Sequence, residues 1–457
     1  MKPYKQLFTI ALATVALTLL PAQFAEAQDS KCITGLGASV AVDDDVIVAG
    51  APGYNESDYY GAVKVFAKQT GKLLYTIPNP RGGERREELR GFGYRVAISG
   101  KRIVVWNGPY SPLAYVFNLA GADPLLPVAT LSSQPRRDAF SDKVAISGPW
   151  VVLGGSKALN VYNLERAEAD QPIAVLKSPK PKADDLFGDD FAMSGTRVVV
   201  GARWGNRAYV FELTGSKPQV PIAELGSPQP GTECYFGINV AISGSKVAVR
   251  SLPKDKHGQI VHIYEIGGGN PNLVATIERP DRGGGDITMA GSRVGMCTDI
   301  NKSKHIFVYD LNGGDTTTPV LTFKMPPVRG GWLGDSMAMS GTCLVVGYPN
   351  EEAKDYITGN LYSFDLATGS LLTQLYPTKQ GRSGGNSLSE IANQIPKSSW
   401  HVGERDAGRQ ARIDAAVARS RQLNEERQAN DAAAVGAGAA RGLDRATDII
   451  NPPPISR

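Results

Sequence analysis

Histidine and cysteine are both scarce, with four of each in 457 residues. The histidines, His257, His262, His305 and His401, form no HExxH pair and show no other metal-ligand spacing. No G-x-S-x-G elbow, P-loop or dinucleotide fingerprint occurs anywhere in the chain. The sequence therefore nominates no catalytic residue, no metal ligand and no cofactor. An excess of either charge is also missing: 49 Lys and Arg stand against 45 Asp and Glu. Bulk attraction to nucleic acid or to a membrane surface thus has no compositional support. After the first 27 residues no apolar run approaches the length of a membrane-spanning helix.

Residues 1–27 read as a secretory leader. Lys2 and Lys5 make a positive start, Leu7 to Leu20 an apolar core, and Ala25-Glu26-Ala27 a small-x-small cleavage site. The expectation is an exported protein, secreted, periplasmic or at the cell surface. Export permits disulfides between Cys32, Cys234, Cys297 and Cys343, and three pairings are open to four cysteines. The four fall at four different repeat positions, which argues against one bridge repeated by design. Free buried thiols are the favoured expectation.

What is abundant is a repeat. Val96-Ala97-Ile98-Ser99-Gly100 returns unchanged from Val144 and from Val240. It recurs as FAMSG from Phe191, ITMAG from Ile287, MAMSG from Met337 and VAVDD from Val40. Successive copies from Val40 lie 56, 48, 47, 49, 47 and 50 residues apart. Each copy opens a set of four short Val-, Ile- and aromatic-rich runs, too short for helices and separated by turn residues. The third run ends in an aromatic in every copy: Phe66, Phe117, Tyr162, Phe211, Tyr264, Tyr309 and Phe364. Four strands per repeat of about 50 residues is the arithmetic of a β-propeller blade. The fold expected is all-β, a seven-bladed propeller over residues 30–377, with blades at roughly 33–80, 90–132, 138–178, 185–227, 234–279, 283–325 and 331–377. On this count the ring closes in phase, with no blade shared by the two chain ends. A stretch around Lys31 to Thr34 could still add to the edge of blade 7.

The repeats resemble FG-GAP repeats, which build the propellers of integrin α-subunits and of many secreted bacterial proteins. The FG element is matched by Leu36-Gly37, Phe92-Gly93, Phe187-Gly188, Phe236-Gly237 and Leu333-Gly334. Phe140-Ser141 keeps only the Phe, and blade 6 has Gly283-Gly284. The GAP element is complete at Gly50-Ala51-Pro52 and partial at Gly201-Ala202-Arg203 and Gly347-Tyr348-Pro349, while Trp106, Arg250 and Cys297 stand in for its Gly elsewhere. The resemblance covers about residues 33–377 and implies cell adhesion and calcium in acidic loops between the first two strands. Here that loop has shrunk to a Ser-Gly turn, too tight for the six to eight oxygens calcium takes. Asp43-Asp44-Asp45 keeps acidity in blade 1 alone and reads as a solvated turn. Asp184-Asp185 and Asp189-Asp190, flanking Phe187-Gly188, read as an exposed loop end, and His262 and His305 as structural or edge residues.

Function is expected on the opposite face, where the second-to-third loops and the blade-to-blade links lie. Arginine and aromatic residues are enriched in binding hot spots. On that basis the candidate partner-binding residues are Tyr59, Tyr60, Arg85, Arg86, Arg203, Trp204, Lys254 and Tyr356. The expected role is a non-enzymatic, monomeric scaffold for a protein or glycan ligand. A propeller-based polysaccharide lyase or hydrolase is the enzymatic alternative. A structural envelope component recruiting a partner through its tail is the third. That tail, 378–457, is Gly-, Ser- and Asn-rich before an Ala/Arg-rich stretch with helical composition over 404–435.

Overall fold

The computed structural model describes residues 35–375, except 44, 54–60, 82–90, 109–110, 112, 133–142, 156, 181–184, 255–257, 268–269, 281–284, 301–302, 314–315, 326–335, 350–351, 354–355 and 358. The expected leader, the Lys31 to Thr34 stretch, the tail and its helix lie outside the described residues. So do Cys32, Tyr59, Tyr60, Arg85 and Arg86.

Seven antiparallel sheets of four strands follow one another along the chain, each pairing its strands in sequence order. Blade 1 runs Ser39–Asp43, Val46–Ala51, Ala62–Ala67 and Leu73–Pro78. The inner strands of blades 2 to 7 are Arg95–Ser99, Val144–Ser147, Phe187–Ser194, Glu233–Ser243, Ile287–Ala290 and Met337–Ser340. Each inner strand packs on the next, and that of blade 7 packs on that of blade 1. The fold is a closed seven-bladed β-propeller, and every blade is built from one continuous stretch of chain.

Strand periodicity explains why the middle strands carry apolar residues at every position. In Val46–Ala51, Val46 and Val48 face blade 2, whereas Ile47 and Ala49 face blade 7. Both faces of a blade are buried, so no polar alternation can appear. The core is accordingly seven slabs, one per seam between blades. All seven aromatics that end the third strands are buried in them.

The Ser-Gly turn has a second role besides closing the first hairpin. Its glycine N–H donates to the serine Oγ of the preceding blade: Gly148 to Ser99 at 2.9 Å, Gly195 to Ser147 at 2.9 Å, Gly244 to Ser194 at 3.0 Å and Gly291 to Ser243 at 2.8 Å. In blade 1 the serine position holds Asp43. Its Oδ2 accepts the Gly100 N–H at 2.7 Å, and its Oδ1 accepts the Ser340 hydroxyl of blade 7 at 3.3 Å. Asp43 is therefore a bridge across three blades rather than part of a solvated turn. Asp45 is exposed, as expected.

The FG and GAP glycines meet across seams. A Cβ on Gly50 would lie 1.8 Å from the Gly93 carbonyl oxygen, one on Gly201 2.0 Å from that of Gly237, and one on Gly347 2.0 Å from that of Gly37. Blades 1 and 2, 4 and 5, and 7 and 1 thus touch backbone to backbone at these points. In blades 4 and 5 the FG residues also belong to the inner strands, which extend through a bulge to Phe187 and to Glu233. One departure from the expected loops is a short hairpin, Glu352–Ala353 with Tyr356–Ile357, in the second-to-third connection of blade 7.

Cys234, Cys297 and Cys343 are in no disulfide among the described residues. Cys234 is partly exposed, while the other two are buried and burial lifts the Cys343 thiol to about 11. Because the thiolate is the reactive form, a native titration of a Cys32→Ser variant is expected to modify Cys234 alone. Denaturant should release the other two, and fast native labelling of Cys343 would contradict this seam packing.

Candidate functional site

The residue just before each VAISG-type motif lies at the end of that motif opposite the Ser-Gly turn. Taken blade by blade, this column reads Ser39, Arg95, Lys143, Asp190, Asn239, Asp286 and Ser336. All seven are polar, although the positions that follow are apolar. The two serines continue the seam pattern: Ser39 Oγ accepts the Val96 N–H at 3.0 Å, and Ser336 Oγ accepts the Val40 N–H at 2.7 Å. The other five line a cavity of about 250 Å³ with Asp189, Arg203 and Ile238.

Charge is sorted around this ring, with cations on blades 2 and 3 and carboxylates on blades 4 and 6. Lys143 Nζ pairs with Asp190 Oδ1 and lies 3.6 Å from Asp286 Oδ1. Asn239 Nδ2 donates to both carboxylates, at 3.3 Å to Asp190 and 3.1 Å to Asp286. The Val240 N–H adds a bond to Asp190 Oδ2 at 2.8 Å. Behind them the buried Arg250 donates to the Gly285 carbonyl. At the rim Arg203 Nε pairs with Asp189 Oδ2 at 3.0 Å.

Burial alone would depress the Lys143 ammonium, but Asp190 and Asp286 outweigh it and hold its pKa above the usual lysine value. Burial pushes the Asp190 carboxyl up, and Asp286 adds to this, against the opposing pull of Lys143 and the Val240 amide. The ammonium therefore stays charged, clamped between two acids that its charge keeps compatible.

Among the expected partner-binding residues, Arg203 lines this cavity and Trp204 stands next to it, 52% exposed. A short 3₁₀ turn, Arg203–Gly205, presents both, pinned by the Trp204 N–H donating to the Asp185 carbonyl at 3.2 Å. Lys254 is exposed and its Nζ lies 3.3 Å from the Gly231 carbonyl, so it ties its own blade link. Tyr356 has its backbone in the blade 7 hairpin. The acids flanking Phe187-Gly188 are not an exposed loop end: Asp185 and Asp190 are buried, and Asp185 Oδ1 accepts the Phe187 N–H at 3.1 Å. Asp184 lies outside the described residues. Sequence reading passed over Arg95, Lys143, Asn239 and Asp286. Their signal was the polar column itself, visible only when the seven copies are stacked.

A second cluster is sealed inside blade 5. His262 Nε2 is 2.9 Å from Glu233 Oε2, which also accepts the hydroxyls of Ser251 at 2.7 Å and Ser227 at 3.0 Å. The carboxylate stands between serine and histidine, and Glu233, Ser251 and His262 are each at most 2% exposed. His262 is thus an interior residue, not an edge one. Among the described residues no group of three or more His, Cys, Asp or Glu side chains has a metal-holding arrangement. No described helix is long and apolar enough to cross a membrane.

No family model matches the chain, and no curated protein matches it. Solved structures do. Hsv2 from Kluyveromyces lactis, with its complete loop 6CD, is similar at 12% identity over 77% of this chain and 98% of its own, with a TM-score of 0.48. The β-propeller domain of the Trilobed protease from Pyrococcus furiosus, described as having an open velcro topology, is 11% identical over 75% of this chain and 98% of its own, TM-score 0.46. PorZ, a surface component of the type-IX secretion system of Porphyromonas gingivalis, is 14% identical over 79% of this chain and 40% of its own, TM-score 0.43.

Proposed function

We propose that the protein is an exported, non-enzymatic propeller scaffold, akin to FG-GAP repeat propellers, whose channel-mouth face binds a protein or glycan partner. The observation that carries this reading is the asymmetry between the two faces. On one, tight Ser-Gly turns hydrogen-bond from blade to blade and leave little but backbone. On the other, a rigid ring of inner strands holds a charged cavity open, with Arg203 on its wall and the exposed Trp204 following it in the same short turn. Polar groups fixed by a scaffold, with an aromatic platform beside them, suit a ligand rich in hydroxyls and charge. The FG-GAP kinship is supported by the glycine contacts between Gly50 and Gly93 and their two counterparts.

Trp204→Ala tests the reading because the side chain is half-exposed and its loss leaves the seams intact. Capture of a partner from envelope extract, or retention on a glycan array, is expected to fall about tenfold or more, the size of a hot-spot loss. Unchanged capture by a variant that melts like the parent would sink the assignment. Deleting 378–457 should leave capture intact, whereas the tail-recruitment alternative requires its loss.

A further inference from the structure

We infer that the cavity at the channel mouth is a subsite for one acidic sugar ring, its carboxylate on Arg95 and its hydroxyls on Asp286 and Asn239. This rests on the glycan half of the proposed function and names the chemistry of the ligand there.

Three features of the ring lead to this chemistry. The first is an unmatched cation. Lys143 is taken by two carboxylates and Arg203 by Asp189, but Arg95 has no acidic partner among the described residues. Among the described residues its guanidinium packs over the Tyr94 ring, 4.7 Å from the centroid, and reaches the Tyr94 carbonyl at 3.4 Å. A planar guanidinium left open on a cavity wall is suited to a carboxylate, which it can hold through two parallel bonds.

The second feature is an open acceptor across the cavity. Among the described residues both side-chain contacts of Asp286 fall on Oδ1, which Asn239 and Lys143 share. Oδ2 is left to accept from a ligand hydroxyl. A donor-rich, neutral group satisfies it without disturbing the Lys143 clamp.

The third is the combination of the two. A uronate brings a carboxylate to Arg95 and hydroxyls to Asp286 Oδ2, whereas a neutral sugar leaves Arg95 unmatched and glycine has no hydroxyl for Asp286. Size narrows the ligand further. At about 250 Å³ the cavity lies below the usual range for drug-sized ligands, so it accommodates one ring rather than a chain segment. Longer glycans would place their remaining units over the rim, toward Trp204.

The test is calorimetric titration of the full-length protein with D-glucuronate, D-galacturonate, D-glucose and glycine. At least one uronate is expected to bind with a Kd of about 1 mM or tighter, weakening at high salt. Glucose and glycine are expected to give no saturable signal. Arg95→Gln should weaken uronate binding about tenfold, the loss of one charge-assisted contact. Asp286→Asn should weaken it less, because the amide still offers an oxygen. Among the described residues Arg95 has no ion pair to leave behind, so its variant is expected to keep the parent melting temperature. Silence toward both uronates, equal binding of glucose or glycine, or an unaffected Arg95→Gln variant each overturns the assignment. If uronates are silent while Trp204→Ala abolishes capture, only the axial subsite falls. Should uronates bind while capture ignores Trp204, the wider face reading falls and the subsite stands.

Discussion

Gly347→Ala is expected to destabilise the protein by about 3 kcal/mol, the upper end of the range for overpacking a tight core. The added methyl would sit 2.0 Å from the Gly37 carbonyl oxygen, 2.9 Å from its carbon and 3.2 Å from its Cα. All three are backbone atoms, so no rotamer change relieves the clash. Both glycines are also fixed by hydrogen bonds: the Gly347 N–H donates to the Ser336 carbonyl and the Gly37 N–H to that of Gly50, each at 2.9 Å. The clash falls on the seam where the first and last blades meet. Described blades share no strand there, so closure depends on the slab of Leu36, Val40, Val345 and Leu361 with their neighbours, plus bonds such as Val40 to Ser336. Parting those surfaces exposes two faces at once. Gly100→Ala is the matched control. Gly100 has a φ of +57° but nothing within 4 Å of a Cβ, so it carries only the left-handed penalty of about 1–2 kcal/mol. Denaturant unfolding of the two variants decides the matter. Equal losses would mean that the close approach of Gly37 and Gly347 does not hold the ring shut.

The blade repeat was legible because the residues that make it are apolar and recur at nearly fixed intervals. Both faces of each middle strand are buried, so runs such as Val198 to Val200 stand out from the turns around them. The role of the glycines was half legible. FG and GAP could be matched one by one, but their meeting across a seam depends on packing between blades. With that contact known, one exchange in the sequence makes sense: Trp106 stands where blade 2 would have its GAP glycine, and blade 3 then has Phe140-Ser141 instead of Phe-Gly.

The candidate site was hidden for the opposite reason. Lys143 and Asp190 lie 47 positions apart, and nothing in the sequence around either marks them as partners. They become partners because the VAISG-type motifs of neighbouring blades pack side by side in the ring. Attention to loop length found Arg203 and Trp204, which lie on a connection, and missed the strand starts. Asp190 was misjudged because adjacent acids usually mark solvent, whereas here the bulged inner strand of blade 4 buries one of them.

Replacing His262 with leucine is expected to cost about 3–5 kcal/mol, because it leaves an uncompensated carboxyl group in a site without water access. Glu233 is 2% exposed and its Oε2 would keep only Ser227 and Ser251. Its other oxygen has no hydrogen-bond partner even in the parent, so nothing nearby can take over. The imidazole also packs on Phe236, the FG phenylalanine of blade 5, with centroids 5.8 Å apart, and its Nδ1 lies 3.3 Å from the Thr276 hydroxyl. A leucine can fill part of that volume but offers neither contact. The double variant Glu233→Leu/His262→Leu separates packing from polarity. It removes the orphaned group along with its partner, so its loss should be smaller than the sum of the single losses by about 1–3 kcal/mol. Urea denaturation at neutral pH reads all three variants. Simple additivity would mean that the two side chains do not act as a pair, and that blade 5 is held by its slabs alone.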